Sequence, residues 1–523
     1  MKKRNAIYIN CWTDPWIKVA HKLEDDCGIH PVCWIGYSSF TDGDDADISV
    51  PREFPGIMYI DNLDAWMAHY PQEVLDKYQD YYLDIDFLNR HANHELQAIK
   101  MMERVDPDRY SFNFMERQRH FRNMIKQWMA IIDILKPDCV ISTAIPHRLY
   151  DYVLYWLCQD KGIDYVMFNH TQFPGRFSCM KNNFYTYGDV FLEDWYNFEK
   201  QSDIQKFLPV DMLERFNKVH GDYLTAAPSY MRTKNNIVHF DSTAKTLWLY
   251  LKRTLQGKYT IKTLFYSGHF KDVWHYYFCK KKNMKYEESH YSVLQQMCQY
   301  IKSNNYKRNL LSYYESLCNK PDHDAPYVCH FLHYQPEATT CPGGDLFVDQ
   351  RLCIELLLKN LPSSYYVYVK EHKHQFLYNR PGQACRMKDF YDDLIKNPRV
   401  KLMSTDEDTF ELIKSSNAVS TITGTVGWEA IVRQKPVITF GLTWYENYAK
   451  GVLRITDETS AKKIHHFIDT YQYDEHSLFA YLASVGKNSI LAYLFKNSAK
   501  NVLNITEDEC VNNIVSSIED QIK

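Results

Sequence analysis

Three short segments in the second half of the sequence carry polar side chains that could bind or transform an anionic ligand. In the first, residues 333–345 (HYQPEATTCPGGD), Glu337 stands beside a proline and before a loop of small residues. A carboxylate in such a position can act as a general base or as a nucleophile. The same pattern fits a glutamate that caps a turn, and the spacing does not separate the two interpretations.

The second segment, residues 369–374 (VKEHKH), places four possible hydrogen-bond donors within five residues: Lys370, His372, Lys373 and His374. Cationic donors of this kind suit an anion such as a nucleotide phosphate. Two histidines two residues apart could also suggest a metal site, but the sequence offers no third or fourth ligand nearby. The pattern therefore favours phosphate over metal, with a solvated basic turn as the alternative.

The third segment is residues 418–441 (AVSTITGTVGWEAIVRQKPVITFG), in which a predicted strand leads through a turn into a predicted helix. The turn consists of Thr423, Gly424 and Thr425. Free backbone N–H groups, the helix dipole and the two hydroxyl groups would all favour a negative charge there, and glycine permits its close approach. The segment lacks the spacing of a Walker phosphate loop. Glu429, one turn into the helix, could bind a ribose hydroxyl, or it could simply favour the helix N-terminus by its charge.

All three segments lie at the ends of predicted strands, in the second of two α/β series. Strand and helix patterns alternate over the first half and again from about residue 326, which predicts parallel sheets covered by helices. In such sheets ligands bind at the carboxyl ends of the strands. The predicted strands are residues 6–11, 31–36, 57–60, 138–143, 163–168, 327–334, 364–372, 400–404, 418–423 and 436–441.

Helix signals lie between these strands. An apolar stripe formed by Phe121, Ile125, Trp128, Ile132 and Leu135 predicts a helix that ends before Lys136-Pro137. Further helices are predicted from about Arg148 to Lys161, along the stripe of Val348, Leu352 and Leu356, around residues 386–396, and from an N-cap at Asp406 to Ile413.

At 523 residues the chain is too long for one core. We predict an α/β fold with two Rossmann-like doubly wound domains that face a cleft, together with a helical basic insertion and a helical C-terminus. The predicted boundaries are 1–215 and 321–470 for the two domains, 216–320 for the insertion, and 471–523 for helices that pack back on the body.

Composition excludes few classes of protein. A net charge of −4 gives no reason to expect a nucleic-acid partner, and the 14 cysteines are scattered without zinc-type spacing, as in a reduced cytoplasmic protein. No stretch carries about twenty uninterrupted apolar residues, the length that a spanning helix requires. Residues 231–290 hold twelve Lys/Arg and four Asp/Glu with interleaved aromatics. They fit a solvated basic face or, alternatively, a peripheral contact with an anionic membrane.

Taken in order, the three segments resemble the capsule polysaccharide biosynthesis family, which includes bacterial β-Kdo transferases with two Rossmann-like domains, the GT-B architecture. The resemblance rests on a Q-P-E strand end, a K-x-H strand end and the run T-G-T-V-G-W-E-A followed by K-P-V-I-x-F-G, over roughly 325–455. A looser likeness covers Pro146, His147 and Arg148. The sequence departs from the family pattern in having Glu337 where Asp is usual and Lys373 where Pro is usual.

The resemblance implies a role for each segment. Lys370 and His372 would contact the phosphate of a nucleotide-sugar donor, the turn Thr423 to Thr425 would match the phosphate-binding turn, and Glu337 would act as nucleophile or base. The donor would lie in domain 321–470. His147 and Arg148 in domain 1–215 would face the acceptor across the cleft.

We therefore predict a glycosyltransferase that moves Kdo or a related sugar from a CMP- or other nucleotide-activated donor to a surface polysaccharide or its lipid-linked precursor. No metal or other cofactor is expected. We expect a cytoplasmic location, and peripheral contact of 231–290 with the inner face of the plasma membrane is the alternative to a solvated basic face. The alternatives are a teichoic-acid-type glycerophosphotransferase, a nucleotide-sugar 2-epimerase and a non-catalytic nucleotide- or glycan-binding scaffold of a capsule export complex.

Overall fold

The computed structural model describes most of the chain, with gaps that include nearly all of the predicted basic segment. The described residues are 3–11, 13–36, 49–106, 113–171, 173–185, 189–219, 248, 252, 293–377, 380–495 and 505–522. Apart from residues 248 and 252, the segment 231–290 and its predicted membrane contact lie outside them.

A seven-stranded sheet forms the centre of the first half. Its strand order is β13-β6-β5-β4-β1-β2-β3, and β1 to β5 run parallel. The two strands at the other edge, β6 and β13, pair antiparallel with their neighbours and were not predicted from sequence. The strands are β1 Arg4–Ile9, β2 Ile29–Gly36, β3 Met58–Asp61, β4 Cys139–Ser142, β5 Asp164–His170, β6 Arg176–Lys181 and, much later in the chain, β13 Ile490–Leu491.

Ten helices are described in the first half, and the longest shows why they form. Helix α7 begins with a capping box between Asn113 and Glu116, and it ends at Lys136, whose positive φ of 47° closes the helix. Its predicted apolar stripe is buried from Phe121 to Ile132. The helices are α1 Thr13–Cys27, α2 Ser49–Glu53, α3 Asn62–Met67, α4 Gln72–Lys77, α5 Ile85–Arg90, α6 Ala92–Met101, α7 Phe114–Leu135, α8 Leu149–Lys161, α9 Val190–Phe198 and α10 Val210–Val219.

The second half is built on six parallel strands in the order β12-β11-β10-β7-β8-β9. Counted from β7, this is the Rossmann order in which the first and fourth strands are parallel neighbours. The direction in which successive strands are added across the sheet reverses between them. In the first sheet β1 and β4 are neighbours in the same way. The strands are β7 Tyr327–Phe331, β8 Tyr366–Lys370, β9 Val400–Met403, β10 Ala418–Thr421, β11 Val437–Thr439 and β12 Val452–Arg454.

Helices connect these strands and continue to the end of the chain. One predicted cap is wrong: Asp408, rather than Asp406, accepts the N–H groups of Phe410 and Glu411, while Asp406 is exposed and pairs with Lys373. The helices are α11 Val293–Leu317, α12 Gln350–Asn360, α13 Lys388–Ile395, α14 Thr409–Ser415, α15 Thr425–Val432, α16 Glu458–Ala461, α17 Ile464–Thr470, α18 Glu475–Lys487 and α19 Glu507–Ile522.

The end of the chain returns to the first half. Strand β13 extends the first sheet, and helix α19 packs against helix α1 and strands β5 and β6. The apolar face of α19, which includes Cys510, Ile514 and Ile518, is buried in the same cluster as the side chains of β1 and β4. The two Rossmann-like sheets confirm the predicted fold class. In the described part of the chain, no helix is both long enough and apolar enough to cross a membrane.

Candidate functional site

The three predicted segments meet at the carboxyl edge of the second sheet, where β7 and β10 lie side by side. His333, two residues past β7, accepts a hydrogen bond at Nε2 from the backbone N–H of Thr423, with a nitrogen–nitrogen distance of 3.1 Å. The hydroxyl group of Thr423 donates to the carbonyl oxygen of Thr339 at 3.0 Å. The loop that carries Glu337 and the turn after β10 are therefore in direct contact at the point where the strand order reverses, the usual ligand position in such sheets.

The turn before helix α15 has no room for a side chain at its centre. Gly424 caps the helix, and its N–H donates to the Thr421 hydroxyl at 3.2 Å. A Cβ atom added to Gly424 would lie 2.6 Å from the same hydroxyl oxygen. Thr425 and Val426 are the first two residues of the helix, so their N–H groups have no acceptor within it. The N–H and hydroxyl of Thr423 and the N–H of Gly424 are used within the protein, so the N–H groups of Thr425 and Val426 and the positive end of the helix dipole are what remains there to attract an anion.

Lys370 ends β8 and is almost fully buried. Its ammonium group donates to the hydroxyl of Thr409, the first residue of helix α14, at 3.0 Å. Burial lowers the pKa of Lys370 to about 8, and the neighbouring Lys373 acts in the same direction. Lys370 is therefore a poorly solvated cation, which strengthens its attraction for an anion.

Glu429 is 6% exposed, in the second turn of α15. Burial raises the pKa of its carboxyl group, and the nearby Arg433, Arg215 and Lys370 lower it. In this arrangement the carboxylate faces basic groups rather than solvent. Its predicted contact with a ribose stays a prediction.

His372 lies next to Lys370 and is half-buried. Its Nδ1 accepts the N–H of His374 at 3.1 Å, which caps the short 3-10 helix Lys373–Phe376. The surrounding protein desolvates the ring and lowers the pKa of His372 well below its ordinary value, and the nearby His374 and His333 add to this effect. The ring is therefore neutral at physiological pH. Because Nδ1 accepts a hydrogen bond, the proton is on Nε2, where it can be donated to a ligand.

Glu337 is exposed to solvent in the space between the two halves. Its Oε2 accepts the hydroxyl of Thr339 at 2.9 Å. The protein surfaces around the carboxyl group remove part of its hydration and raise its pKa, whereas the Thr339 hydroxyl, Arg380 and Arg104 lower it. Arg104 belongs to the first half, so residues of both halves set the protonation of this carboxylate.

The predicted acceptor-side residues lie at the carboxyl end of β4. The His147 ring donates from Nδ1 to the carbonyl oxygen of Ile145 at 2.8 Å. The Arg148 guanidinium contacts Asn10 and Tyr150 of its own half. His147 is linked to the second half through its backbone.

Arg104 makes that link. Its Nη2 donates to the carbonyl oxygens of His147 at 2.6 Å and Cys341 at 3.1 Å, and thereby joins the end of β4 to the loop after Glu337. Gln97 adds a second bridge between the halves by donating to Asp345 at 3.0 Å. Arg104, which the sequence did not point to, thus connects His147 with the Glu337 loop, and the predicted acceptor-side role of His147 and Arg148 stays a prediction.

A buried network beneath the site was also missed. The Arg386 guanidinium is almost fully buried and donates to Glu371 at 2.7 Å, to the side chain of Gln335 at 2.7 Å and to the carbonyl oxygen of His333 at 3.2 Å. Tyr391 donates to the same Glu371 at 2.8 Å. The network fixes the backbone just before Glu337. A buried arginine has no periodic signature, and His333 fell within the strand predicted over 327–334, so neither residue stood out in the sequence.

Within the described residues, no group of three or more His, Cys, Asp or Glu side chains is arranged to hold a metal ion. All the cysteines described there are free thiols.

Comparisons with known proteins point to one family. Residues 347–484 match the family model described as capsule polysaccharide biosynthesis protein. The capsule polysaccharide modification protein LipA of Neisseria meningitidis serogroup A is 31% identical over 83 residues, which are 16% of this chain and 11% of LipA. Residues 347–484 thus match the model of the capsule polysaccharide biosynthesis family, and the predicted resemblance is confirmed.

Solved structures give weaker likenesses. A Thermosulfurimonas dismutans KpsC structure, described as a beta Kdo 2,7 transferase, is 9% identical and covers 77% of this chain and 97% of its own, with a TM-score of 0.27. Methanocaldococcus jannaschii UDP-GlcNAc 2-epimerase, in complex with UDP-GlcNAc and UDP, is 10% identical, with coverages of 98% and 99% and a TM-score of 0.25. The assignment of the fold depends on the strand order of the two sheets, not on these scores.

Proposed function

We propose that this protein is a glycosyltransferase of capsule polysaccharide synthesis. It transfers a sugar from a nucleotide-activated donor, Kdo from CMP-Kdo or a related pair, to a surface polysaccharide or its lipid-linked precursor. The choice of pathway is supported by the family match over residues 347–484. The choice of Kdo follows the motif resemblance.

One observation carries the proposal: the hydrogen bonds of Thr423 to His333 and to Thr339. They join an anion-binding helix N-terminus to the loop of an exposed carboxylate at the switch point of a Rossmann-like sheet. A transferase needs these two features together, because the leaving phosphate and the reacting sugar carbon are adjacent in the donor.

The proposed role of each residue follows from its chemistry. The turn Thr423 to Thr425 and the neutral donor His372 stabilise the negative charge that develops on the leaving phosphate, and Lys370 adds a poorly solvated positive charge. Glu337 acts on the sugar carbon as a nucleophile or on the acceptor hydroxyl as a base. The acceptor approaches from the side of His147, across the contact made by Arg104.

The test compares two variants with a matched control. Glu337→Gln and His372→Ala should each lower the rate of transfer from CMP-Kdo to a capsule-type acceptor by at least about 100-fold, since positioned acid–base groups and charge-stabilising donors contribute at this level. Glu411→Gln removes an exposed carboxylate on helix α14 and should leave the rate unchanged. Transfer is followed by CMP release and by the mass of the product.

Full activity in both site variants would overturn the proposal. Stabilisation of the protein by nucleotides in a thermal-shift panel of CMP, CDP, UDP and GDP, with no nucleotide released from any donor, would instead support the binding scaffold. Interconversion of a free nucleotide sugar without transfer would support the epimerase.

A further inference from the structure

His333 has an arrangement of hydrogen bonds that fixes the position of its ring proton. Its Nε2 accepts the backbone N–H of Thr423 at 3.1 Å and lies 3.0 Å from the Thr421 hydroxyl oxygen. A ring nitrogen that accepts from an amide carries a lone pair and no proton. In the neutral ring the proton is therefore on Nδ1.

The neutral form is the one expected at physiological pH. Burial lowers the pKa of His333 to about 4, and the nearby Arg386 acts in the same direction. With its lone pair already engaged by Thr423, the ring is unsuited to accept a proton from a substrate. It can only donate, from Nδ1.

The Nδ1 atom is available to a ligand. No described residue makes a hydrogen bond to it, and it is not sealed from solvent. By contrast, Nε2 of the neighbouring His330 is both buried and without a partner. A Cβ atom on Gly424 would be 3.5 Å from Nε2, so the Nε2 edge of the ring lies against the turn Thr423 to Thr425.

The residue is also held at its backbone. Its N–H donates to the side-chain oxygen of Gln350 at 2.7 Å, and its carbonyl oxygen accepts from Gln350 at 3.0 Å and from Arg386 at 3.2 Å. Such anchoring keeps the ring in one orientation at little entropic cost on binding.

We infer that His333 is a further donor-binding residue, which holds the turn through Nε2 and donates one hydrogen bond from Nδ1 to an oxygen of the anionic group bound at residues 423–425. On the proposed function, that oxygen belongs to the phosphate of the nucleotide-activated donor. Sequence position alone would not suggest this role, because the contact that fixes the proton comes from Thr423, in the turn after the neighbouring strand.

Two substitutions test the contributions of the two ring nitrogens separately. In His333→Gln the side-chain oxygen can replace Nε2 as the acceptor for Thr423, but the donor at the Nδ1 position is lost. In His333→Asn a donor remains near the Nδ1 position, and the contact with Thr423 is lost. The measurement is calorimetric titration of CMP, CDP, UDP and GDP, with cytidine, uridine and guanosine as phosphate-free probes.

We expect His333→Gln to bind the preferred nucleotide about 10- to 100-fold more weakly than the unaltered protein, the range for a hydrogen bond to a charged group. Its affinity for the matching nucleoside should not change, a result that general damage to the fold would not produce. His333→Asn should keep more of the nucleotide affinity than His333→Gln.

The failure of the inference differs from the failure of the proposed function. If the unaltered protein binds a nucleotide and His333→Gln binds it equally well, only the inference is overturned. If the unaltered protein binds none of the four, both are overturned. Nitrogen-15 spectra of histidine in the unaltered protein provide a test without mutation: protonated Nδ1 supports the inference, and protonated Nε2 contradicts it.

Discussion

At the scale of single residues, the protonation of Glu337 depends on groups from both halves of the chain. Partial desolvation raises its pKa, and Arg380 of the second half and Arg104 of the first half counter this rise. Because a nucleophile or a base must be deprotonated, activity should be present above the pKa of this carboxyl group and should be lost as the pH falls through it. A raised pKa places that loss at a higher pH than for an ordinary glutamate.

The variant Arg380→Gln tests this balance. Removing a positive charge that lowers the pKa of Glu337 should move the acid limb of the kcat/KM profile to higher pH, by a few tenths to about one pH unit for an exposed arginine. Arg351→Gln, which removes an arginine that pairs with Asp349 instead, should leave the limb in place. An unchanged limb in Arg380→Gln would show that this arginine does not act on the carboxylate that limits activity at low pH.

At the scale of elements, the start of helix α14 (Thr409–Ser415) orients a residue of the neighbouring strand. Asp408 caps the helix by accepting the N–H groups of Phe410 at 2.7 Å and Glu411 at 3.1 Å. The first helical residue, Thr409, accepts the hydrogen bond of Lys370. The cap thus supports the position of Lys370, a residue of strand β8 that is predicted to bind phosphate.

Replacing the cap should loosen this helix start. For Asp408→Ala we expect a local loss of about 1 kcal/mol, the usual value for an N-cap, and so about fivefold faster hydrogen exchange at residues 410–413. Asp406→Ala removes the residue that the sequence pattern had favoured as cap and should change exchange there by much less. Equal effects of the two substitutions would contradict the assignment of the cap.

At the scale of the whole molecule, the end of the chain completes the half in which the chain began. Helix α19 (Glu507–Ile522) covers the first sheet beside helix α1, and β13 pairs with β6. Ile514 is completely buried in this contact, whereas Ser516 on the same helix is exposed. The stability of the first half therefore depends on residues nearly 500 positions away along the chain.

Truncating the buried side chain should show this dependence. Ile514→Ala should lower the free energy of unfolding of the first half by about 2–4 kcal/mol, from lost burial and the cavity left behind. Ser516→Ala should change it by less than about 0.5 kcal/mol. Denaturant unfolding followed by hydrogen exchange in β1 and β4 measures both, and full protection of these strands in Ile514→Ala would contradict the predicted coupling.

The sequence by itself determined the local features of this protein. These features depend on residues only a few positions apart, so their patterns could be interpreted without a structure. They include the apolar stripe of helix α7, the alternation of strands with helices, and the turn at Gly424. The positions of Glu337, Lys370 and Thr423 at or near the ends of predicted strands were recognisable for the same reason, and parallel strands imply that such ends share one edge.

The tertiary structure alone decided which of these features touch. Several features join residues that are far apart in sequence. They are the order of the strands, the antiparallel pair β6 and β13, the bridge made by Arg104 and the contact of His333 with Thr423. These contacts depend on how whole helices and sheets pack, and packing favours a partner by shape and burial rather than by any short pattern of residues. The hydrogen bond from Thr423 to His333, which assigns the ring proton, exists only because β10 lies beside β7 in the sheet.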